Sequence, residues 1–429
     1  MATDGSKQSS LPFPTESLPA DWKISTVEDC CISVNDGDWI ETKDQGGGDY
    51  RLLQISNVGL GIFRETGNYR YISQETFDRL SCREVLPGNI LVARMPDPTG
   101  RAWHVQHMPF RAITAVDVAI LEPNEAVIDG RYCAYYLNSH YNLRHAKARA
   151  GGTTRERITR KDLAAFPLPL PPLPIQQRIA GILSAYDELI ENSQRRIKIL
   201  KSMARALYRE WFVHFRFPGH EHHPRVPSPL GEIPKGWEVK SFSELASYVN
   251  GYPFKPAQLG TEGKPIIKIK ELKAGIVADT PRNLGDDIPE KYHISDGAVL
   301  FSWSADLDTY LWMGGDGLLN QHLFTVLPGN GLSHAFCLHS LKEAMPRFRA
   351  LSLGATMHHI KRSALDQVFT VVAPETTRRR FDVLVEPMHT QLITLTRQVQ
   401  NLRRTRDLLL PRLLSGQVDL RPNGAMNTP

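Results

Sequence analysis

A glycine-threonine segment rich in arginine offers the clearest candidate chemistry in this 429-residue chain. Glycine lets a backbone approach a partner closely, threonine hydroxyls and free N–H groups bind phosphate oxygens, and arginine binds phosphate or guanine through two hydrogen bonds. A solvated, capped helix start is the structural alternative for the same residues. The contacts predicted in this segment are Gly152, Thr153, Thr154, Arg155, Arg157, Arg160 and Lys161.

A related segment follows 202 residues later, where Gly354-x-Thr356 again precedes an isoleucine by the same spacing. Two sites that share glycine, threonine and basic residues but differ in detail indicate one scaffold with two different readouts. His358 and His359 are poor candidates for a metal site, because adjacent histidines point in different directions and no partner ligand is evident. The contacts predicted here are Thr356, His358, His359, Lys361 and Arg362.

Further polar residues stand between the β-type runs of both halves. Arginine, asparagine, glutamine and histidine carry donors and acceptors suited to base edges, although each such residue taken alone is more often structural or merely exposed. The predicted contacts outside the two glycine segments are Arg94, Arg101, His104, Tyr252, Lys255, Trp303, Asn320, Gln321 and His322.

Recognisable reaction centres are missing from the sequence. Gly260 to Lys264 has the wrong spacing for a phosphate-binding loop and is followed by Pro265, and neither HExxH nor GxSxG occurs. The Asn/Asp-Pro-Pro-aromatic tetrapeptide of amino-methyltransferases is also absent, which disfavours methylation by this chain alone. These absences point towards a binding protein that is not an enzyme.

Composition sets broad limits on the class of protein. With 41% hydrophobic and 23% charged residues, the chain is expected to fold, and its length favours more than one core. Five cysteines without CxxC spacing argue against a zinc or disulfide framework. We find neither a signal peptide nor an apolar run long enough to span a membrane, so we expect a cytoplasmic protein; a net charge of +5 permits a polyanionic partner without establishing one.

The chain contains an internal duplication. Leu18 to Trp22 returns as Ile233 to Trp237 at a separation of 215 residues, and Gly88-Asn89-Ile90-Leu91 returns as Gly297-Ala298-Val299-Leu300 at 209. With the pair at 202 described above, the matches keep their order while the separation shrinks smoothly, as loop deletions would cause. Duplication is therefore the better interpretation of the pattern.

Each half ends in a heptad pattern that predicts a long helix. One such stripe could lie on its own domain, but two seams of equal length and register are best satisfied by packing on each other. Ser193 and Arg406 interrupt the apolar seams. The seam positions assigned to helix packing or partner docking are Leu183, Ile190, Ile197, Leu200, Leu207, Leu392, Leu395, Val399, Leu402 and Leu409.

The expected fold class is α+β, with two pseudo-repeated globular domains joined by two long antiparallel coiled-coil helices. The first helix is expected to end before a proline-rich linker, and shorter helices such as 131–143 complete each domain. The predicted segments are a flexible N-terminus (1–17), domain 1 (18–170), a central helix (171–217), a linker (218–232), domain 2 (233–373), a C-terminal helix (374–416) and a flexible tail (417–429).

Taken together, these features resemble the specificity subunit of a Type I restriction-modification enzyme over nearly the whole chain. The residues that carry the resemblance are 18–22 and 233–237, which open the two domains, 88–94 and 297–302 inside them, Asn320-Gln321-His322, and the conserved spacers 171–179 and 410–416. In the second half, Arg378-Arg379-Arg380 replaces the Gln-Gln-Arg that family members usually carry.

The resemblance implies a non-catalytic subunit that binds double-stranded DNA, with each domain reading one half of a bipartite, asymmetric site. It also implies that the helices fix the half-site separation and dock two methyltransferase subunits, which methylate adenine with S-adenosylmethionine, and that ATP- and Mg-dependent motor nuclease subunits join for restriction. This chain would bind no cofactor itself. Alternatives are the recognition subunit of a related Type II or phage-defence system, or a scaffold that binds proteins and no DNA.

Overall fold

The computed structural model describes residues 11–13, 18–152, 156–329, 331–352 and 359–421. Two compact units share these residues. The first unit comprises the chain up to Glu188 and from Arg403 onward, and the second comprises Leu189–Leu402. The division falls within two long helices, so each unit contains its own part of both. None of the helices in these ranges combines the length and apolar character that a bilayer crossing requires.

The first unit is a mixed structure of short strands and helices. In chain order its elements are β1 (Lys23–Thr26), α1 (Val27–Cys30), β2 (Cys31–Asn35), β3 (Tyr50–Leu53), β4 (Tyr71–Ile72), α2 (Gln74–Leu80), β5 (Ile90–Ala93), β6 (Ala102–His104), β7 (Ala112–Thr114), β8 (Val118–Pro123), α3 (Gly130–Leu137), α4 (His140–Arg149), α5 (Arg160–Ala164) and β9 (Pro167–Leu170). The first long helix, α6 (Leu173–Tyr208), follows.

The second unit repeats this plan. Its elements are β10 (Arg225–Ser228), β11 (Gly231–Pro234), β12 (Glu238–Ser241), α7 (Phe242–Leu245), β13 (Ala246–Asn250), β14 (Lys264–Ile267), α8 (Ile269–Ala274), β15 (Arg282–Asn283), β16 (His293–Ile294), β17 (Val299–Ser302), β18 (Asp308–Leu311), β19 (Gly317–Leu319), β20 (Leu323–Pro328), α9 (His334–Ala350), α10 (Ala364–Gln367) and β21 (Phe369–Val372). The second long helix is α11 (Glu375–Leu414).

Sheet order confirms the duplication. The first unit has a four-stranded sheet in the order β2-β8-β5-β6, and the second has β13-β20-β17-β18 in the same arrangement. Each unit also has a small sheet with one parallel pair, β3 with β7 and β14 with β19, and an antiparallel pair that closes the domain, β1 with β9 and β12 with β21. The α+β class and the repeated domains are therefore confirmed.

The long helices run antiparallel inside each unit. In the first unit, Arg178 of α6 contacts Leu420, which follows α11, and Asp187 of α6 contacts Arg406 of α11. Residue numbers therefore rise along α6 while those of the contacting residues fall. In the second unit, Arg196 contacts Gln391, and the ring of Tyr208 contacts that of Phe381. Burial follows the heptads: the structure buries Leu183, Ile190, Leu392, Leu395 and Val399, and half-buries Ile197, Leu200, Leu207, Leu402 and Leu409.

Two local expectations differ from the structure. The helix expected over 131–143 is broken into α3 and α4, because the Ser139 hydroxyl accepts the Asn142 N–H and starts a new helix. The proline-rich stretch expected as a linker contains an antiparallel hairpin, in which Val226 faces Ile233 across β10 and β11. Its prolines allow this because a two-stranded ribbon leaves one edge of each strand without ladder hydrogen bonds.

Candidate nucleic-acid interface

Distant segments meet at one edge of the second unit. Tyr252 forms a parallel bridge with Asn320, and Ser304 forms an antiparallel bridge with His359. Next to the second bridge, the Ile360 N–H donates to the Trp303 carbonyl over 3.0 Å. The structure therefore brings together residues from four loops that the sequence analysis had singled out separately.

The side chains at this edge can both stack and hydrogen-bond. The Trp303 indole N–H donates to the Asn250 amide oxygen over 3.2 Å, and its ring lies 5.9 Å from that of His322, centroid to centroid. His322, His359 and Arg362 are exposed, and Trp303 is half-buried. We call these five residues, Asn250, Trp303, His322, His359 and Arg362, the second patch.

An equivalent arrangement exists in the first unit. Asp38 forms a parallel bridge with Ala115, as Tyr252 does with Asn320, and the Ile158 N–H donates to the Arg94 carbonyl over 3.0 Å, as Ile360 does to Trp303. These backbone contacts put five residues of the first unit at the positions of the second patch. We call them the first patch: Asp36, Arg94, Asp117, Arg157 and Arg160.

Glycine is required at the base of both patches. A Cβ atom added to Gly37 would lie 2.2 Å from the Ala115 carbonyl oxygen, and one added to Gly251 would lie 2.2 Å from that of Asn320. No side chain fits at such distances, so the two loops approach each other only through glycine. This shared constraint supports the equivalence of the two patches independently of the hydrogen bonds.

Ion pairs organise the first patch. The buried Arg94 guanidinium lies 3.1 Å from Asp36 and 3.7 Å from Asp117, and it donates to the Val116 carbonyl over 2.7 Å. Arg157 lies 3.2 Å from Asp117, and Arg160 lies 3.8 Å from Asp36. Arg157 and Arg160 keep about half of their side-chain surface exposed, so they can exchange these carboxylates for phosphate or a base edge.

Exposed basic residues extend the first patch along α4. Arg144, Lys147 and Arg149 are exposed, and the helix ends just before Gly151, which forms an antiparallel bridge with Arg157. The sequence analysis did not select these three residues. Their signal was the three-residue spacing of Arg144 and Lys147, which places two cations on one face of the helix that leads into the glycine segment.

The structure does not support a DNA contact for Arg94 or Arg101. Arg94 is 4% exposed and held by the two aspartates of its patch. Arg101 is 3% exposed, and its guanidinium donates to backbone carbonyls of Ile55, Val58, Met95 and Pro98. Both arginines serve as internal donors that hold loops together, because burying a guanidinium is costly unless carboxylates or carbonyl oxygens surround it.

The other predicted contacts are distributed as follows. Gly152 and Lys161 are exposed beside the first patch, whereas half-buried His104 lies on β6 outside both patches, and burial lowers its pKa. Asn320 is buried and donates to Gln321, and Lys255 is exposed near Tyr252. Lys361 is exposed beside Arg362. The predicted contacts Thr153, Thr154, Arg155, Thr356 and His358 lie outside the described residues.

The cysteine thiols and the possible metal-ligating side chains of the described residues are the alternative candidates for reactive groups. All five cysteines are free thiols, and burial raises the pKa of both Cys31 and Cys337 to about 12, so these two stay protonated at neutral pH. Within the described ranges, no three histidine, cysteine, aspartate or glutamate residues are grouped so that they could hold a metal ion.

Comparisons with known proteins agree with this geometry. Residues 19–202 match the model of the Type I restriction modification DNA specificity domain. The chain is 23% identical over 427 residues to the Type I restriction enzyme MjaIX specificity subunit of Methanocaldococcus jannaschii, covering 94% of each protein. It is 22% identical over 404 residues to the HindI specificity subunit of Haemophilus influenzae, covering 78% of this chain and 88% of that protein.

The fold has a counterpart among solved structures. The crystal structure of the Type I restriction-modification S subunit from M. genitalium superposes with a TM-score of 0.60 at 16% identity, covering 92% of this chain and 98% of that one. The family match, the relatives and the shared fold all concern the same kind of protein. Residues 19–202 therefore match the Type I restriction modification DNA specificity domain, and the chain as a whole is similar in sequence and fold to the specificity subunits of Type I restriction enzymes.

Proposed function

We propose that this chain reads a bipartite, asymmetric DNA target, with the first patch on one half-site and the second patch on the other. The observation that carries the proposal is that one backbone framework presents different side chains in the two units. Four of the five positions differ: two aspartates and two arginines stand in the first patch where an amide, an indole and two imidazoles stand in the second, and the fifth position is an arginine in both. Different donor and acceptor patterns select different bases.

Electrostatics supports DNA as the ligand. In the first unit, the exposed basic residues Arg144, Lys147 and Arg149 of α4 add to the arginines of the first patch. In the second unit, exposed Lys361 stands next to Arg362 of the second patch in the sequence. Cations of this kind bind phosphates and orient a protein on the duplex, while the patch side chains meet base edges. A scaffold for protein partners would not need cations beside both patches.

Catalysis is assigned to partner subunits. We infer that two methyltransferase subunits dock on the long helices and flip and methylate adenine, and that motor nuclease subunits join them in the cytoplasm for restriction. S-adenosylmethionine, ATP and Mg belong to those partners in this scheme. The chain itself contributes sequence recognition and, through α6 and α11, the separation of the half-sites.

The test is sequencing of modified adenines in DNA from a host that expresses this chain with its cognate methyltransferase subunit. A host with the methyltransferase subunit alone is the control. We expect a split motif, methylated on both strands, only when this chain is present. If a complex forms without any new motif, DNA recognition fails as the function and a protein scaffold takes its place.

Single-patch variants sharpen this test. We expect His322→Ala to relax one half of the motif and Arg157→Ala to relax the other, with each variant leaving the opposite half unchanged. Changes by both variants in the same half would contradict the assignment of one patch to each half-site, even if the chain does specify DNA.

A further inference from the structure

The duplicated halves differ at one position of the helix seam. In the first unit, the Tyr135 hydroxyl donates to Asp187 of α6 over 2.6 Å. In the second unit, His339 and His389 of α11 face each other, with their Nε2 atoms 3.3 Å apart. Tyr135 and His339 each lie six residues after the N-cap of α3 or α9, and Asp187 and His389 share one heptad position. The two pairs are therefore equivalent.

A third side chain next to each of these pairs, on the other long helix, differs in size between the two halves. In the first unit, Arg406 of α11 extends its guanidinium to Asp187 of α6, 2.5 Å away. The equivalent heptad position in the second unit is Ala204, which is fully buried. A cavity of about 520 Å³ opens beside Ala204, with His339 and His389 in its wall. The small alanine side chain leaves room here that an arginine would occupy.

Apolar side chains form most of the cavity wall. Leu272, Trp312, Leu338 and Leu392 contribute to it, and they suit a flat hydrocarbon body. The volume lies within the range of about 300–1,000 Å³ that small-molecule sites occupy. This wall alone would accept any apolar compound, so the polar groups decide the class of ligand.

Cations outnumber acids around the cavity. Lys201, Arg205 and Lys342 line it, and within the described part of the chain Lys201 has no acidic partner. Lys342 lies 3.3 Å from Asp308. The carboxylate that lines the cavity, Glu271, is already engaged: it accepts the Lys268 N–H over 3.0 Å and the Thr280 hydroxyl over 3.3 Å. An anion would therefore meet uncompensated positive charge.

Two buried polar atoms on lining residues lack a partner within the described chain. These atoms are His339 Nδ1 and Thr309 Oγ1, and both residues are at most 5% exposed. Leaving such atoms unpaired costs free energy that a ligand or water would recover. Burial, and then the like charge of His389, lowers the pKa of His339 to about 3, so this imidazole is neutral and offers one donor and one acceptor.

We propose that this cavity binds a small organic anion, with its planar apolar body against Trp312 and Leu392 and its acidic group directed to Lys201. A divalent metal ion between the two imidazoles is disfavoured by the three cations that line the same cavity. The site lies in the helix seam, separate from both DNA-reading patches, and would allow a metabolite to stabilise this part of the seam.

The probe for this site is naphthalene-2-sulfonate, titrated into the purified full-length chain and followed by calorimetry and ligand-observed NMR. We expect saturable binding of one equivalent. The neutral naphthalene-2-sulfonamide is expected to bind at least about tenfold more weakly, which corresponds to a loss of about 1.4 kcal/mol. No saturable binding of the sulfonate, or equal binding of both probes, would overturn the proposal.

Variants locate the bound probe. The triple variant Ala204→Arg, His339→Tyr, His389→Asp copies the trio of the first half, and we expect it to fill the cavity and abolish binding. Ala204→Leu is a single-residue alternative that fills the cavity without new charge. Lys201→Gln should weaken sulfonate binding at least threefold, whereas Lys198→Gln, one turn earlier and outside the cavity lining, should leave it unchanged. Undiminished binding to either folded filling variant contradicts the site.

Discussion

Arg94 and Trp303 occupy the same position in the two halves, since each offers its backbone carbonyl to an isoleucine N–H over 3.0 Å. Their side chains have opposite roles. Arg94 points inward to two aspartates, while the Trp303 indole lies half-exposed beside His322. A single framework position therefore carries a buried, ion-paired side chain in one half and a partly exposed aromatic side chain in the other.

Removal of the Arg94 side chain should destabilise the first unit. Arg94→Ala leaves Asp36 and Asp117 without their shared partner, and we expect a loss of about 3 kcal/mol in the free energy of unfolding. Arg157→Ala, which removes an exposed partner of the same Asp117, should cost under about 1 kcal/mol. Differential scanning calorimetry of the full chain measures both, and equal losses would contradict an internal role for Arg94.

The basic face of α4 should contribute affinity without sequence preference. On the proposed function, substitution of Arg144 and Lys147 by alanine would remove two phosphate contacts, so the magnitude of the slope of log K against log salt should fall by about 1.8. The methylated motif should stay the same. Fluorescence anisotropy with cognate and scrambled duplexes measures the effect, and Arg195→Ala on α6 is the control. A loss confined to the cognate duplex would instead make these residues base-reading ones.

The two patches should contribute separately to binding energy. On the proposed function, His322→Ala and Arg157→Ala should each cost about 1–3 kcal/mol of binding free energy on the cognate duplex, because each would remove a hydrogen-bonding side chain from a base edge. Since the residues lie in different units, the double variant should lose the sum of the two costs. A double-mutant cycle checks this, and strong coupling between the substitutions would argue against independent readouts.

Acid should weaken the second unit through its histidine pair. Burial lowers the pKa of His339 to about 3 and that of His389 to about 4, so the unfolded chain binds more protons than the folded one between pH 6.5 and these values. The contribution of the two neutral histidines to the free energy of unfolding is therefore fully present above pH 6.5. It is lost as the pH falls, by at most about 1.4 kcal/mol per pH unit for each histidine. Melting temperatures from pH 7.5 to 4.5 measure the loss.

A matched variant isolates that pair. His339→Phe with His389→Leu keeps the seam apolar and removes both titrating groups, so its melting temperature should depend less on pH over the same interval. If the variant and the parent lose stability in parallel, the acid sensitivity arises elsewhere.

Sequence reasoning predicted the large-scale organisation because periodic patterns carry it. The duplication, the heptads and the α+β class all follow from spacing, and residues such as Leu183 and Leu392 are buried as their register requires. The burial of Arg94 was not predictable in this way. Its partner Asp36 lies 58 residues away in the chain, and only the folded sheet brings the two together.

The composition of the patches was only partly predictable, because residue type indicates what a side chain can bind but not whether it is buried. Trp303, His322 and Arg362 were selected by residue type, and the structure places them together. Arg101 was also selected by type, yet it lies in the interior, because four backbone carbonyls needed donors that the sequence does not reveal. The cavity beside Ala204 depends on alanine being smaller than Arg406, the residue at the equivalent heptad position. The heptad pattern shows this difference only as an interruption of the apolar seam at Arg406.

The contrast between the two patches has an evolutionary consequence. Backbone hydrogen bonds hold the framework of the second patch, and its exposed side chains can drift without removing the partner of a buried charge. In the first patch, a change at Asp36 or Asp117 also disturbs Arg94, so new specificity there requires compensating substitutions. The exposed side chains of the second patch should therefore diversify faster among close relatives of this protein than those of the first.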